Sequence, residues 1–375
     1  MKPPSERFEA LTGARWLFAS LVFVYHNRKY WRVDANKYVL QAMNEMHIGV
    51  SLFFVLSGFL IAYKYNDPAN KTFHYGRYAA LRVARILPLY WLLLLTSYID
   101  WGFPKTIYQT VITLSLAHGF SNTHNLDGIA QAWSLTVEMT FYIFAPLIFY
   151  YWNKKIVKAL ALLLVLLGIA IGAGQLWHSL NGNKDEYFYP VGFVFHSTFF
   201  GRFPEFLAGV WLAAILHKTL PDPFSQLKHK TYIGFTGVFI SLFMASFFQP
   251  DIFHHGYDTI PGAVLMYTLI PLFAIIWLYG LVKEQTWMST FFSAKPMVLA
   301  GNASFAFYLI HISYVNIRIK EWKLLPDRNF ILLWVVSIVL YLLFEKPVNN
   351  LCRKMLKKKT VNAADPQPTV LPANP

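Results

Sequence analysis

Residues 156–174 read IVKALALLLVLLGIAIGAG, a run of 19 residues in which Lys158 is the one charged side chain. A bilayer core of ~30 Å takes about 20 helical residues, so a run of this length can cross it as a helix. Comparable apolar runs fall near 13–30, 47–64, 84–99, 133–152, 200–217, 231–249, 260–281, 303–318 and 329–346. The sequence therefore predicts an all-α integral membrane protein with about ten transmembrane helices.

The composition excludes several other classes of protein. Of the 375 residues, 56% are apolar and 14% are charged, against roughly 25% charged residues in soluble domains. The net charge of +14 does not predict a nucleic-acid partner, because the basic residues cluster at the ends of apolar runs, as membrane topology requires. Cys352 is the single cysteine, and no metal-ligand spacing is present, so we expect membrane lipid as the surroundings and no metal site.

The distribution of charge predicts the orientation. With the N-terminus in the cytoplasm, the inner loops carry most of the Lys and Arg residues, and both termini are cytoplasmic. This holds if 107–117, about 11 residues long, is re-entrant or interfacial; if it crosses the membrane, everything after it inverts. We expect a cytoplasmic segment over 1–12, a transmembrane domain over 13–350 and a basic, then disordered, cytoplasmic tail over 351–375.

Ionisable residues inside apolar runs indicate function, because they cost several kcal/mol in lipid unless they face a cavity or a partner. Arg15 and His26 are 11 residues apart, which places them on one helix face and ~16 Å apart along the axis. Arg15 is expected near the inner boundary and His26 toward the outer side. Alternatively, Arg15 is an anchor whose charge reaches the interface, and His26 is an interface residue.

Arg82 and Arg85 project from one side of a helix start, at i and i+3. Two guanidinium groups at a cytoplasmic helix end can bind phosphates, or they can serve only as positive-inside anchors.

Glu138 lies well inside an apolar run that opens with Trp133, a normal interface residue, and Tyr142 follows one turn along the same face. A carboxylate in this position needs a partner, and His26 is a candidate at similar depth. We therefore predict an ion pair between His26 and Glu138.

Two further polar groups lie in apolar runs. Arg202 and Glu205 are spaced to neutralise each other at i and i+3. Ser304, Tyr308 and His311 form a polar stripe on one helix face. Hydrogen bonding between helices explains Ser304 and Tyr308 better than direct chemistry does, whereas both roles stay open for His311.

Taken in order, these motifs resemble the membrane-bound acyltransferase family 3. The resemblance covers about residues 10 to 350. It is carried by Arg15-x10-His26, GVSLFFVLSGFLI at 49–61, RVARILPLYW at 82–91, WSLTVEMTFY at 133–142, RFPEFLAG at 202–209, GNASFAFYLIH at 301–311 and Glu345-Lys346-Pro347.

The resemblance implies a multi-pass O-acyltransferase of the bacterial inner membrane. It implies that an acyl group, acetyl in the commonest case, moves from acyl-CoA (acetyl-CoA) in the cytoplasm to a hydroxyl of a surface-polysaccharide or lipid-linked sugar. Acyl-CoA is then a substrate, and no cofactor is held permanently. Some relatives carry an additional hydrolase-like domain, whereas this chain ends after a short tail, so we expect transfer by the transmembrane unit itself or with a separate partner. Some relatives acylate small molecules instead.

The chemistry of the residues fits this activity. The acceptor hydroxyl needs a base with a pKa near 7, and histidine is the natural one, so His26 is the expected base. Glu138 is expected to orient the imidazole and Tyr142 to bind the oxyanion. Arg15, Arg82 and Arg85 are expected to bind the donor. A proton-coupled transporter or flippase is the alternative, because buried Glu, His and Arg also form proton relays. The sequence leaves the oligomeric state open.

Overall fold

The computed structural model describes residues 8–28, 37–68, 73–182, 184, 186–251 and 254–363. The described residues form helices joined by turns, and among them the only β pairing is one isolated bridge between Ser121 and Tyr187. The all-α prediction is confirmed. The ends of the predicted terminal segments, 1–7 and 364–375, lie outside the described residues. The helices are α1 (Glu9–Asn27), α2 (Lys37–Asn44), α3 (Gly49–Tyr65), α4 (Tyr75–Trp101), α5 (Ile107–Leu114), α6 (Trp133–Lys154), α7 (Ile156–Asn181), α8 (Val191–Ser197), α9 (Phe199–Leu216), α10 (Lys230–Ser246), α11 (Ile260–Val264), α12 (Ile270–Lys283), α13 (Trp287–Ser293), α14 (Lys295–Ile310), α15 (Tyr314–Glu321), α16 (Pro326–Leu340) and α17 (Lys346–Ala363).

Seven helical stretches in the described part of the chain are long and apolar enough to cross a membrane. An eighth is the pair α14 and α15, which is bent by 85° at its break. The helices α1 and α10 coincide with two more predicted runs but do not meet both criteria, so the predicted count of about ten spans is not confirmed. The segment predicted to be re-entrant or interfacial contains the eight-residue helix α5, which at ~1.5 Å per residue is too short to cross.

A hydrogen bond from Arg202 and the close approach of two glycines hold α3 against α9. Arg202 donates to both carboxylate oxygens of Glu205 at 2.7 Å and to Ser51 Oγ of α3 at 3.0 Å, and all three side chains are buried. The predicted neutralisation of Arg202 by Glu205 is therefore confirmed. Small residues permit the close approach of the two helices, since Gly58 and Gly209 lie at the point where the two helix backbones meet.

Gly209→Ala should lower the stability of the protein by about 1–3 kcal/mol, the usual cost of overpacking. A Cβ at this position would lie 2.1 Å from the Val55 carbonyl oxygen and 2.4 Å from the Phe59 amide nitrogen, so the two backbones would have to separate. Thermal unfolding in detergent measures the effect. The matched control is Gly168→Ala on α7, where a Cβ would meet nothing within 4 Å. Equal unfolding temperatures for the two variants would contradict the prediction.

The bundle has two chemically different ends. At the first, which we call the basic end, lie Lys64, Arg82, Arg85, Lys346 and Arg353. At the other, the histidine end, α1 and α14 finish side by side with the rings of His26 and His311 5.1 Å apart. Since α1 begins at the basic end and finishes at the histidine end, the line that joins the two ends of the bundle runs parallel to α1.

Candidate active site

A narrow central cavity of about 70 Å³ enters the helix bundle among α1, α3, α4, α6 and α14. It opens at the basic end into a wider polar space of about 170 Å³, which we call the basic mouth. Arg15, Arg82 and Arg85 line both spaces and so lie at their junction. The three arginines predicted to bind the donor are therefore brought together. The polar side chains lining the central cavity beyond them are Ser57, Ser134, Glu138, Tyr142, Ser304 and Tyr308.

The basic mouth carries a large excess of positive charge. Besides the three arginines it is lined by Lys64, Lys346 and Arg353, while the carboxylate among its lining residues is Glu345. Glu345 is 7% exposed, and one of its carboxylate oxygens has no hydrogen-bond partner. Six cations facing one carboxylate form a surface suited to a polyanionic ligand such as a phosphate-bearing molecule.

Two of the three arginines at the junction, Arg15 and Arg82, lie beside aromatic rings. The Arg82 guanidinium lies 5.7 Å from the Tyr65 ring centroid and 5.6 Å from that of Tyr142, and it donates to Tyr65 Oη at 3.4 Å. Arg15 lies 5.9 Å from the Phe53 ring centroid. None of the ion pairs found in the described ranges includes Arg15, Arg82 or Arg85. Apart from the Arg82 N–H group that donates to Tyr65, their N–H groups are not held by a carboxylate and can bind a ligand, which the anchor interpretation does not require.

Glu138 faces the central cavity, and its hydrogen-bond partners differ from the prediction. Its carboxylate accepts hydrogen bonds from Ser57 Oγ at 2.7 Å and from the Tyr142 hydroxyl. The predicted ion pair with His26 is wrong, because Glu138 lies at the level of the arginines whereas His26 lies at the histidine end. The predicted use of Tyr142 as an oxyanion donor is not supported either, since its hydroxyl proton is engaged by Glu138.

His26 instead adjoins His311. The His26 side chain is exposed at the end of α1, and its ring lies 4.5 Å from that of Tyr25 in addition to its contact with His311. His311 is 1% exposed; its Nδ1 lies 2.6 Å from the Tyr308 carbonyl oxygen, and its Nε2 has no hydrogen-bond partner. Nearby, burial lowers the pKa of His255 to about 4, so that this neighbour of Tyr25 is uncharged at neutral pH.

The polar stripe on α14 faces the bundle interior, as predicted. Ser304, Tyr308 and His311 are all buried. Tyr308 Oη hydrogen-bonds Ser134 Oγ at 2.7 Å, and the Gln131 amide nitrogen donates to the Tyr308 and Leu309 carbonyl oxygens at 2.9 and 2.7 Å. This interhelical hydrogen bonding explains Tyr308, while Ser304 Oγ lacks a partner and lines the central cavity.

One residue predicted to support the site, Trp133, lies outside it. Trp133 begins α6 and packs against the core, and it lines neither the central cavity nor the basic mouth. Sequence reasoning missed Ser57, Tyr65 and Glu345 as site residues. For Glu345 a signal existed, since it is a single carboxylate following the apolar residues YLLF. No group of three or more metal-ligating side chains occurs in the described residues.

Comparison with known proteins identifies the family to which the chain belongs. The profile of the acyltransferase domain family matches residues 8–344. The chain therefore belongs to this acyltransferase family, and its apolar helices make it a multi-pass membrane protein. No solved structure matches it.

Curated relatives from Staphylococcus aureus bear names that describe them as candidate O-acetyltransferases. The protein of strain COL is 22% identical over 390 residues, covering 96% of this chain and 59% of the relative. That of strain MRSA252 is 23% identical over 334 residues, covering 82% of this chain and 50% of the relative. The chain thus spans between half and three fifths of the length of these relatives.

Proposed function

We propose that this protein is a membrane O-acyltransferase. It takes an acyl group, acetyl in the simplest case, from acyl-CoA at the basic end and transfers it to a hydroxyl of a surface-polysaccharide or lipid-linked sugar at the histidine end. The observation that carries the proposal is the set of three arginines without carboxylate partners, placed where a basic mouth narrows into a central cavity. This arrangement suits a ligand with phosphates at one end and a slender uncharged arm at the other, as in acyl-CoA.

The donor phosphates bind at the basic end, and the acceptor reacts at the histidine end. The phosphates bind Arg82, Arg85 and the other cations of the mouth, while the arm carrying the thioester extends past Arg15 toward His26, ~16 Å further along α1. The acceptor oxygen attacks the thioester carbonyl, a C–O bond forms and the C–S bond breaks. His26 accepts the hydroxyl proton, which finally leaves on the CoA thiol, so the products are the ester and free CoA.

Purified protein in nanodiscs tests the proposal. Given acetyl-CoA and a panel of methyl glycosides, it should release the CoA thiol only when an accepted glycoside is present. Thiol release that does not depend on any acceptor, or movement of a labelled sugar across vesicles without loss of acetyl-CoA, would contradict the proposal; the second result would indicate a transporter.

We further propose that the basic end faces the cytoplasm of a bacterium and the histidine end the outside, as the positive-inside rule indicates. In a Cys352→Ser background, a cysteine replacing Arg77 on α4 should react with an impermeant thiol reagent only from the cytoplasmic side of the membrane. A cysteine replacing Asn122 in the exposed loop before α6 should react only from the outer side. The reverse pattern would invert the direction of transfer.

A further inference from the structure

A second cavity lies at the histidine end and does not include any residue assigned above. It measures about 440 Å³, within the ~300–1,000 Å³ typical of small-molecule sites. Its walls are the end of α4 and the residues after it, α5, the residues before α6, and the break between α14 and α15. We call it the histidine-end cavity. Its lining includes Tyr98, Phe103, Gln109, Asp127, Ala130 and Ser313.

The break between α14 and α15 forms one wall of this cavity. Ile312 and Ser313 of the break, and Tyr314 at the start of α15, line it directly. Backbone that leaves a helix within a span is tolerated where it is buried in protein or lines a water-filled cavity. Here the Asn316 side chain donates to the His311 carbonyl oxygen and also bonds Asn329 at 3.1 Å. The break is thus fixed by side chains, which gives the cavity a rigid wall next to His311.

The histidine-end cavity approaches the central cavity from the opposite direction. The central cavity extends along α14 to Tyr308, and the histidine-end cavity begins at Ile312, two residues after α14 ends. On the other wall the corresponding residues are Ser134 of α6 and Ala130, three residues before α6 begins. The two linings are thus four residues apart in sequence on each wall, and the hydrogen bond between Tyr308 and Ser134 lies at this end of the central cavity.

The chemistry of the lining selects a class of ligand. The charged residues of the lining are Lys105 and Asp127, whose opposite charges cancel. The basic mouth, in contrast, is lined by six cations. The Tyr98 and Phe103 rings adjoin at 5.6 Å, and Phe103 is 66% exposed. Asp127 already bonds His124 Nδ1 at 2.8 Å, and a carboxylate with about four acceptor sites can also accept from ligand hydroxyls. Aromatic side chains pack well against the C–H groups of a saturated ring, and polar side chains without a net charge can bond its hydroxyls. The lining therefore suits an uncharged ring that carries hydroxyl groups.

We propose that the histidine-end cavity binds the acceptor as an uncharged pyranoside ring, stacked on the exposed Phe103 ring, which packs against Tyr98, and hydrogen-bonded by Asp127. This inference rests on the proposed function and assigns the acceptor site within it. The ring is held at the end of the bundle where His26 and His311 meet, beside the residues that directly follow His311. Phosphate groups of a lipid carrier stay outside the cavity, because its lining offers no excess of cations.

Protection from labelling tests the assignment. In a Cys352→Ser background, Ala130→Cys places a thiol in the cavity, and Asn122→Cys places one in an exposed loop outside its lining. Methyl glycosides of hexoses, deoxyhexoses and N-acetylhexosamines, at millimolar concentration, should slow the reaction of Ala130→Cys with an impermeant maleimide and leave Asn122→Cys unchanged. Adding Asp127→Asn should raise the half-protecting concentration about tenfold, as expected for loss of a charged hydrogen-bond acceptor.

The matched control is Asp251→Asn, because Asp251 also bonds a histidine three residues away, His254, at 2.9 Å but lies outside the cavity lining. It should leave protection unchanged. Absence of protection by every glycoside, or equal slowing at both cysteines, overturns the assignment. If a glycoside drives CoA release without protecting Ala130→Cys, the proposed function stands and the cavity is not its acceptor site. Protection without CoA release under any condition leaves a sugar-binding cavity and contradicts the transferase.

Discussion

His26→Ala should reduce acyl transfer by about 10²- to 10⁴-fold, the usual contribution of a general base. The side chain is exposed at the end of α1, so its loss removes little packing and the variant should fold normally. The measurement is acceptor-dependent release of CoA thiol in nanodiscs, together with the thermal unfolding temperature.

The control for this variant is His254→Ala, which removes an exposed histidine from the same end of the bundle. The His254 side chain is 56% exposed and pairs with Asp251. It should retain full activity. Activity of His26→Ala above about one hundredth of wild type, in a folded protein, would contradict the role of His26 as the base.

Arg82→Ala combined with Arg85→Ala should raise the KM for acyl-CoA about 100-fold and change kcat much less. Each guanidinium is expected to contribute a charge-assisted hydrogen bond of about 1.5 kcal/mol to a phosphate, and two such losses correspond to roughly two powers of ten. Steady-state kinetics with varied acetyl-CoA give both constants.

Arg77→Ala is the matched control, because Arg77 lies on the same helix and is exposed but lines neither the central cavity nor the basic mouth. It should leave KM unchanged. If the double variant kept its KM but inserted with mixed orientation, as judged by thiol labelling from each side, the two arginines would be topological anchors and not donor-binding residues.

The sequence predicted the helices and the local polar pairs well for a physical reason. Lipid requires long apolar runs, so the helix positions follow from composition, and the pairing of Arg202 with Glu205 follows from a spacing of three residues on one helix. The partner of Glu138 on another helix, Ser57, could not be found in this way. Hydropathy gives approximate depth along a single helix, but the neighbouring helices and their rotation depend on packing, such as the close approach of α3 and α9 at Gly58 and Gly209.

The thin layer between the two cavities has an electrical consequence. Membrane voltage falls mainly across the most insulating part of a protein, and with water in both cavities that part would be the layer that contains the hydrogen bond between Tyr308 and Ser134. Any full charge crossing it would do work of about 2.3 kcal/mol per 100 mV. In the proposed reaction the acyl group is neutral, so it would cross this layer without electrical work while the phosphates of the proposed donor stay with the arginines. Group transfer of the proposed kind would be independent of the membrane potential and would open no path for ions.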